Sequence, residues 1–126
     1  MLRKNLCLFA IGGAGYAIIE LLWRGRTHPT MLVAGGLSFI CFSRVSEHFK
    51  NSNIFVKSLL CSACVSFIEL VFGILFNVIL DMKIWDYSDQ PLNLFGQICP
   101  VFSLLWGILS IFALPIAEKI NRALEA

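Results

Sequence analysis

Charge is scarce in this sequence, and the little that is present is neither one-signed nor clustered. Only 14% of the 126 residues are charged, for a net charge of +2, against about a quarter in ordinary soluble domains. The ten Lys and Arg residues form no stripe, which leaves no footprint for nucleic acid. Histidine occurs twice, and no second His or Cys stands at ligand spacing beside His28, so neither a metal site nor a cofactor is expected. There is no Gly-x-x-x-x-Gly-Lys-Ser/Thr run, so any ATPase belongs to a separate chain. No small-x-small cleavage site follows the apolar run after Met1, Leu2, Arg3 and Lys4, which predicts an uncleaved first span. Five cysteines are an odd count without the spacing of a secreted scaffold, and free thiols are expected. Cys61 and Cys64 have redox-motif spacing but lie in an apolar helical run, without the strand-loop-helix setting that activates such thiols. Cys7, Cys41, Cys61 and Cys64 all fall in one half of the membrane, and a four-thiolate site would need them to converge.

What the chain has in abundance is apolar length. It is 58% hydrophobic with a mean hydropathy of +0.80. A hydrocarbon core of about 30 Å takes about 20 helical residues to cross. Four runs are candidates, at 6–23, 30–45, 55–80 and 93–116; the second is short for a span and reaches 45 only with Arg44 snorkelling to the interface. The expectation is an all-α integral membrane protein, a four-transmembrane-helix bundle that forms one domain over residues 1–126. Gly12, Gly13, Ala14, Gly15 and Ala17 in the first span, and Gly35 with Gly36 in the second, offer faces where helix backbones approach closely.

The basic residues orient this bundle. Arg3, Lys4, Arg44, Lys50, Lys57, Lys119 and Arg122 fall on one side; Arg24, Arg26 and Lys83 fall on the other. An excess of Lys and Arg marks the cytoplasmic face, so both termini are expected in the cytoplasm. The 24–29 loop and the stretch after residue 80 then face outward, in agreement with the interfacial aromatics Trp23, Trp85 and Tyr87.

With 1.5 Å of rise per residue, each polar side chain acquires a depth. Glu20, Asn77 and Gln97 each lie about 5 Å in from the outer ends of their helices and are expected to form one shell. Glu69 is deeper, about 15 Å in, at a level shared with Tyr16, Ser38 and Ser103. A carboxyl there costs about 2.5–3.5 kcal/mol on insertion scales and must face the bundle, find donors or be protonated at neutral pH, and Tyr16 is the expected donor. Tyr16, Glu20 and Arg24 recur at intervals of four on one helical face, as do Glu69, Gly73 and Asn77 on another. Two such ladders predict an outward-opening pocket between the first and third helices. The plain alternative is an interfacial Glu20–Arg24 ion pair and a register-fixing hydrogen bond at Glu69. His28, before Pro29, is either a site residue at the top of the ladder or an ordinary polar loop residue.

Residues 85–99 hold most of the remaining polar choices: Trp85, Asp86, Tyr87, Ser88, Pro91, Asn93, Gly96, Gln97 and Cys99. Asn93 suits an N-cap of the fourth helix, which would set Gln97 one turn inside it. Pro100 would then bend that helix and free a carbonyl near Gly96 or Gln97. Capping does not account for Trp85, Asp86 and Tyr87. Together with Phe102, Ser103, Trp106 and Gly107, this pattern resembles the ABC-transporter permease family of small bacterial membrane proteins labelled CmpB-like. Glu20, His28 to Met31, Gly35, Gly36, Glu69 and Leu70 extend the resemblance over most of the chain. Pro100 departs from it, since an aliphatic residue is expected there. The resemblance implies a multi-pass protein of the bacterial cytoplasmic (inner) membrane with a transport role.

The reading drawn from these residues is a permease or transport component that admits a small polar or cationic ligand of unread identity. Its site residues would be Tyr16, Glu20, Arg24, His28, Glu69, Asn77, Trp85, Asp86, Tyr87, Asn93 and Gln97, with Glu20 and Glu69 as acceptors and Trp85 and Tyr87 as a cap. The competing readings are a membrane enzyme acting on a lipid or polyprenyl head group, with Glu69 or Asp86 as base and Arg24 or His28 on a phosphate, and an assembly or regulatory protein without a ligand site. Four spans make little wall for a translocation path, so beyond the lipid bilayer a second copy or a separate ATPase subunit is an expected partner.

Overall fold

The computed structural model describes residues 2–125. Four helices follow the four apolar runs: α1 (Leu2–Arg24), α2 (Pro29–His48), α3 (Ile54–Phe72) and α4 (Pro100–Glu125). Each is long and apolar enough to cross a membrane once the π-helical turns Gly73–Ile79 that continue α3 are included. No named strand occurs among the described residues; one isolated bridge pairs Leu94 with Ile98.

The starts of α2 and α3 are written locally. Pro29 occupies the first turn of α2, where its missing N–H is no loss, and the His28 ring accepts a bond from the Thr30 N–H at 3.2 Å. Asn53 caps α3 by accepting from the Val56 N–H at 2.9 Å.

α2 is the central element, packed against the other three helices, whereas α1 and α4 touch only sparsely. It lies closest to α1 because glycines face each other. A Cβ on Gly12 would strike the Phe39 side chain and the Gly35 carbonyl, and a Cβ on Gly35 would strike Tyr16 and the Gly12 carbonyl. Gly13 and Gly36 are held in the same way by the Leu32 carbonyl and Phe9. Gly15 is different: a Cβ there meets nothing within 4 Å. The small-residue face of α1 is therefore split, part of it set against α2 and part of it open.

At the terminal end of the bundle, polar side chains join the helices. Lys4 pairs with Glu47 at 2.6 Å, Ser43 donates to Asn121 at 2.8 Å, and Ser46 donates to Glu118 at 2.8 Å. The last two bonds hold α4 to α2 where it continues past Pro115 and the charged residues near 118, where the fourth span was expected to end. At the start of α4 the expectation shifts by seven residues. The helix opens at Pro100, so that Pro100 heads it rather than bending it, and Asn93 and Gln97 both lie in the preceding loop. Among the thiols, Cys41, Cys61 and Cys64 neighbour one another, all five cysteines are free, and no group of three His, Cys, Asp or Glu among the described residues is arranged to hold a metal ion.

Candidate functional site

The sparse contact between α1 and α4 leaves a cleft at the end of the bundle that carries the 25–28 loop and the 80–99 segment. Its cavity of about 360 Å³ is lined by Tyr16, Glu20 and Arg24 of α1, Glu69 of α3, Trp85 and Tyr87 of the loop, and Phe102 and Trp106 of α4, among other residues. That volume lies in the range of small-molecule sites. The rim is formed by Ile19, Trp23 and Leu105, all exposed, so the cavity opens sideways between α1 and α4.

Glu69 is the most buried charged residue lining this cavity, 6% exposed. It accepts from the Tyr87 hydroxyl on Oε2 at 3.1 Å and from the Trp106 indole N–H on Oε1 at 2.8 Å. The expected donor, Tyr16, does not bond to it. Tyr16 packs its ring against Trp106, centroids 5.2 Å apart, and lines the same cavity. The exchange follows from α4 starting late: Phe102 and Trp106, four apart, both turn to the cavity, and Tyr87 stacks on Phe102 with centroids 4.6 Å apart and planes within 5°. Burial beside the Glu69 carboxylate pushes the Tyr87 phenol well above its ordinary value. Ser38 and Ser103, at the same depth, are engaged elsewhere, with the Ala34 carbonyl and with Ser66.

Glu20 is 8% exposed and pairs with Arg24 at 2.6 Å. It also accepts from Thr27 at 2.9 Å, while Arg24 donates to the Ile84 carbonyl at 2.8 Å. The pair thereby ties the first loop to the second. Of the two carboxyl groups lining the cavity, Glu20 has the guanidinium as its partner, and Glu69 has no cationic partner among the described residues.

The expected shell of Glu20, Asn77 and Gln97 is divided in two. Asn77 lies in the π-helical turns, where i→i+5 bonding, seen in the Leu80 N–H to Leu75 carbonyl bond, shifts side chains out of α-helical phase. It donates to Gln97 at 2.8 Å and accepts from the Ile84 N–H at 2.7 Å. Gln97 also lies directly over Gly73, where a Cβ would strike its side chain. Asn77, Asp86 and Gln97, with Arg26, Asp81 and Lys83, line a second cavity of about 340 Å³. Trp85 is the shared wall of the two cavities and donates its indole N–H to the Gln97 carbonyl at 3.0 Å.

Two expected site residues serve the loops instead. Asn93 binds the carbonyls of Ser88 and Gln90 and the Gly96 N–H, and lines neither cavity. His28 caps α2 and likewise lines neither. Asp86, exposed, accepts from the Ser88 N–H at 2.8 Å. Of the alternatives in the head-group enzyme reading, Glu69 and Arg24 line this cavity, whereas Asp86 and His28 do not. The structure brings Tyr16, Glu20, Arg24, Glu69, Trp85 and Tyr87 together and adds Phe102, Trp106 and Thr27. Trp106 was accessible to sequence reasoning: a buried acid needs donors, and an indole on a facing span at matching depth is one.

Four membrane-length helices around a laterally open cavity with one deep acid describe a small multi-pass membrane protein. The chain belongs to the family described as "Putative ABC-transporter type IV" (CmpB), whose model matches residues 9–125. The match supports a transport-related role and the possibility of further transporter components. No curated protein and no solved structure matches the chain.

Proposed function

We propose that this protein is the membrane-embedded ligand-binding component of a transport system, and that the cleft between α1 and α4 receives a small polar or cationic ligand at Glu69. The supporting observation is the Glu69 carboxyl, held by donors from two separate elements inside a largely apolar, aromatic-walled cavity that also carries the Glu20–Arg24 pair. An intramembrane acid is costly and commonly functional, and a cation beside it gains from the faces of Tyr16, Trp85, Tyr87 and Trp106. In this reading the chain is a single transmembrane domain. Its Lys- and Arg-rich end, with both termini, faces the cytoplasm of a bacterial cell, and the cavity opens toward the outer half of the inner membrane. ATP hydrolysis belongs to a separate subunit, and a second copy completes the wall that four spans leave open.

All three tryptophans of the sequence line the cavity, so intrinsic fluorescence reports on it directly. The protein in lipid nanodiscs is titrated with butyltrimethylammonium. Saturable binding is expected, weakened about tenfold or more in Glu69→Gln, which removes about 1.4 kcal/mol or more of binding energy, and unchanged in Glu47→Gln at the far end. Equal binding by wild type and Glu69→Gln would refute the assignment.

A further inference from the structure

Below the Glu69 cavity the gap between α1 and α4 holds a third, apolar hollow of about 250 Å³. Tyr16, Ile19, Trp106 and Leu109 line both, so the two spaces adjoin at the contact of the Tyr16 and Trp106 rings. The lower one runs past Gly15, Ile11, Phe112 and Ile116. From Glu20 to Ile11 the groove follows nine helical residues, about 14 Å along the membrane normal. Gly15 sits on its floor, and it is the glycine of α1 that no neighbour requires, since a Cβ there reaches nothing within 4 Å. A glycine in a helix interior costs about 0.5–1 kcal/mol relative to alanine. At Gly12 and Gly13 close packing on α2 offsets that cost; at Gly15 the missing side chain only widens the groove. The gap is therefore amphipathic lengthwise, with an acid and aromatic faces at one end and an apolar hollow at the other, and the exposed Ile11, Ile19, Phe112 and Ile116 along its sides.

Building on the assignment of Glu69 as the binding group, we infer that the ligand is a single-chain amphiphile with an ammonium head. The head seats among Glu69, Tyr16, Trp85 and Trp106, and the alkyl chain lies over Gly15 between α1 and α4. The unmatched carboxyl selects a cationic head over an anionic one, and the lateral opening lets the chain enter from the bilayer without crossing water.

The test compares butyltrimethylammonium with dodecyltrimethylammonium, below its micellar range, on the protein in nanodiscs. Wild type is expected to bind the long probe at least about tenfold more tightly. Gly15→Leu, which fills the groove floor, should abolish that advantage and leave the short-probe affinity unchanged. Ile11→Trp, at an exposed position lower in the groove, should act in the same direction, and Gly15→Ala controls for folding. If both filled variants keep the full chain-length advantage, the chain lies in bulk lipid and the inference fails, even while short-probe binding still depends on Glu69. If Gly15→Leu instead lowers both probes equally, or changes the oligomeric state in mild detergent, the groove is a helix-docking face and the inference is equally overturned.

Discussion

Trp106 donates its indole N–H to Glu69 at 2.8 Å, joining residues 37 apart in sequence across the face where α3 meets α4. That bond makes the deepest acid of the cavity a structural joint as well as a candidate ligand group, and the two roles separate by mutation. Glu69→Leu leaves the Trp106 and Tyr87 donors without a partner, and a buried unpaired group costs about 1–3 kcal/mol. Glu69→Gln keeps an acceptor oxygen for one of them. Thermal melts in detergent should therefore rank wild type above Glu69→Gln and Glu69→Leu lowest. Equal melting of the two variants would show that the donors find other partners.

Gly73 and Gln97 make a second test. Because a Cβ on Gly73 would occupy the space of the Gln97 side chain, Gly73→Ala should destabilise by about 1–3 kcal/mol, the usual cost of overpacking. It should also loosen residues 80–99 ahead of the helices, as a rise in amide hydrogen exchange confined to that segment would reveal.

The glycines of α1 and α2 should differ sharply in their tolerance. Gly35→Leu drives a side chain into Tyr16 and the Gly12 carbonyl and should abolish stable folding or part α1 from α2. Gly15→Ala meets open space and should be neutral or stabilising by about 0.5–1 kcal/mol. Steric-trap or denaturant unfolding of the pair in bicelles measures the contrast directly.

Tyr87 predicts an alkaline limit. Its phenol is raised in the folded protein by burial and by Glu69. The unfolded chain therefore ionises first, near the ordinary tyrosine value of about 10, and binds fewer protons than the folded one above that pH. Stability is then fully present below about pH 10 and falls as pH rises further. Tyr87→Phe should flatten this fall while lowering stability at neutral pH through the lost bond to Glu69. An unaltered alkaline slope in Tyr87→Phe would assign the limit to other groups.

Much of the fold is legible in composition and spacing. Four helices follow from four long apolar runs, and the start of α3 from Asn53, because hydropathy and capping are local properties, whereas the capping of α2 by His28 was not read from the sequence. The close approach of α1 to α2 is written in facing glycines, and the family in the pattern from Glu20 to Gly107. The loop before α4 is not local in this sense. Asn93 reads as an N-cap, but its side chain ties up Ser88, Gln90 and Gly96, and Leu92 and Phe95 adopt positive φ there, which no propensity rule anticipates.

The sequence alone determined that this chain spans a membrane as helices and that its few buried charges, Glu20 and Glu69 above all, must find partners, because the cost of a polar group in hydrocarbon is independent of fold. Which partners they find was decided only by the tertiary structure. The start of α4 at Pro100 and the π-helical end of α3 together rotate Trp106 toward Glu69 and Asn77 away from it. They divide one expected pocket into two and leave α1 and α4 apart. Helical phase and the gap between two helices are properties of packing, set by contacts that no single stretch of sequence contains.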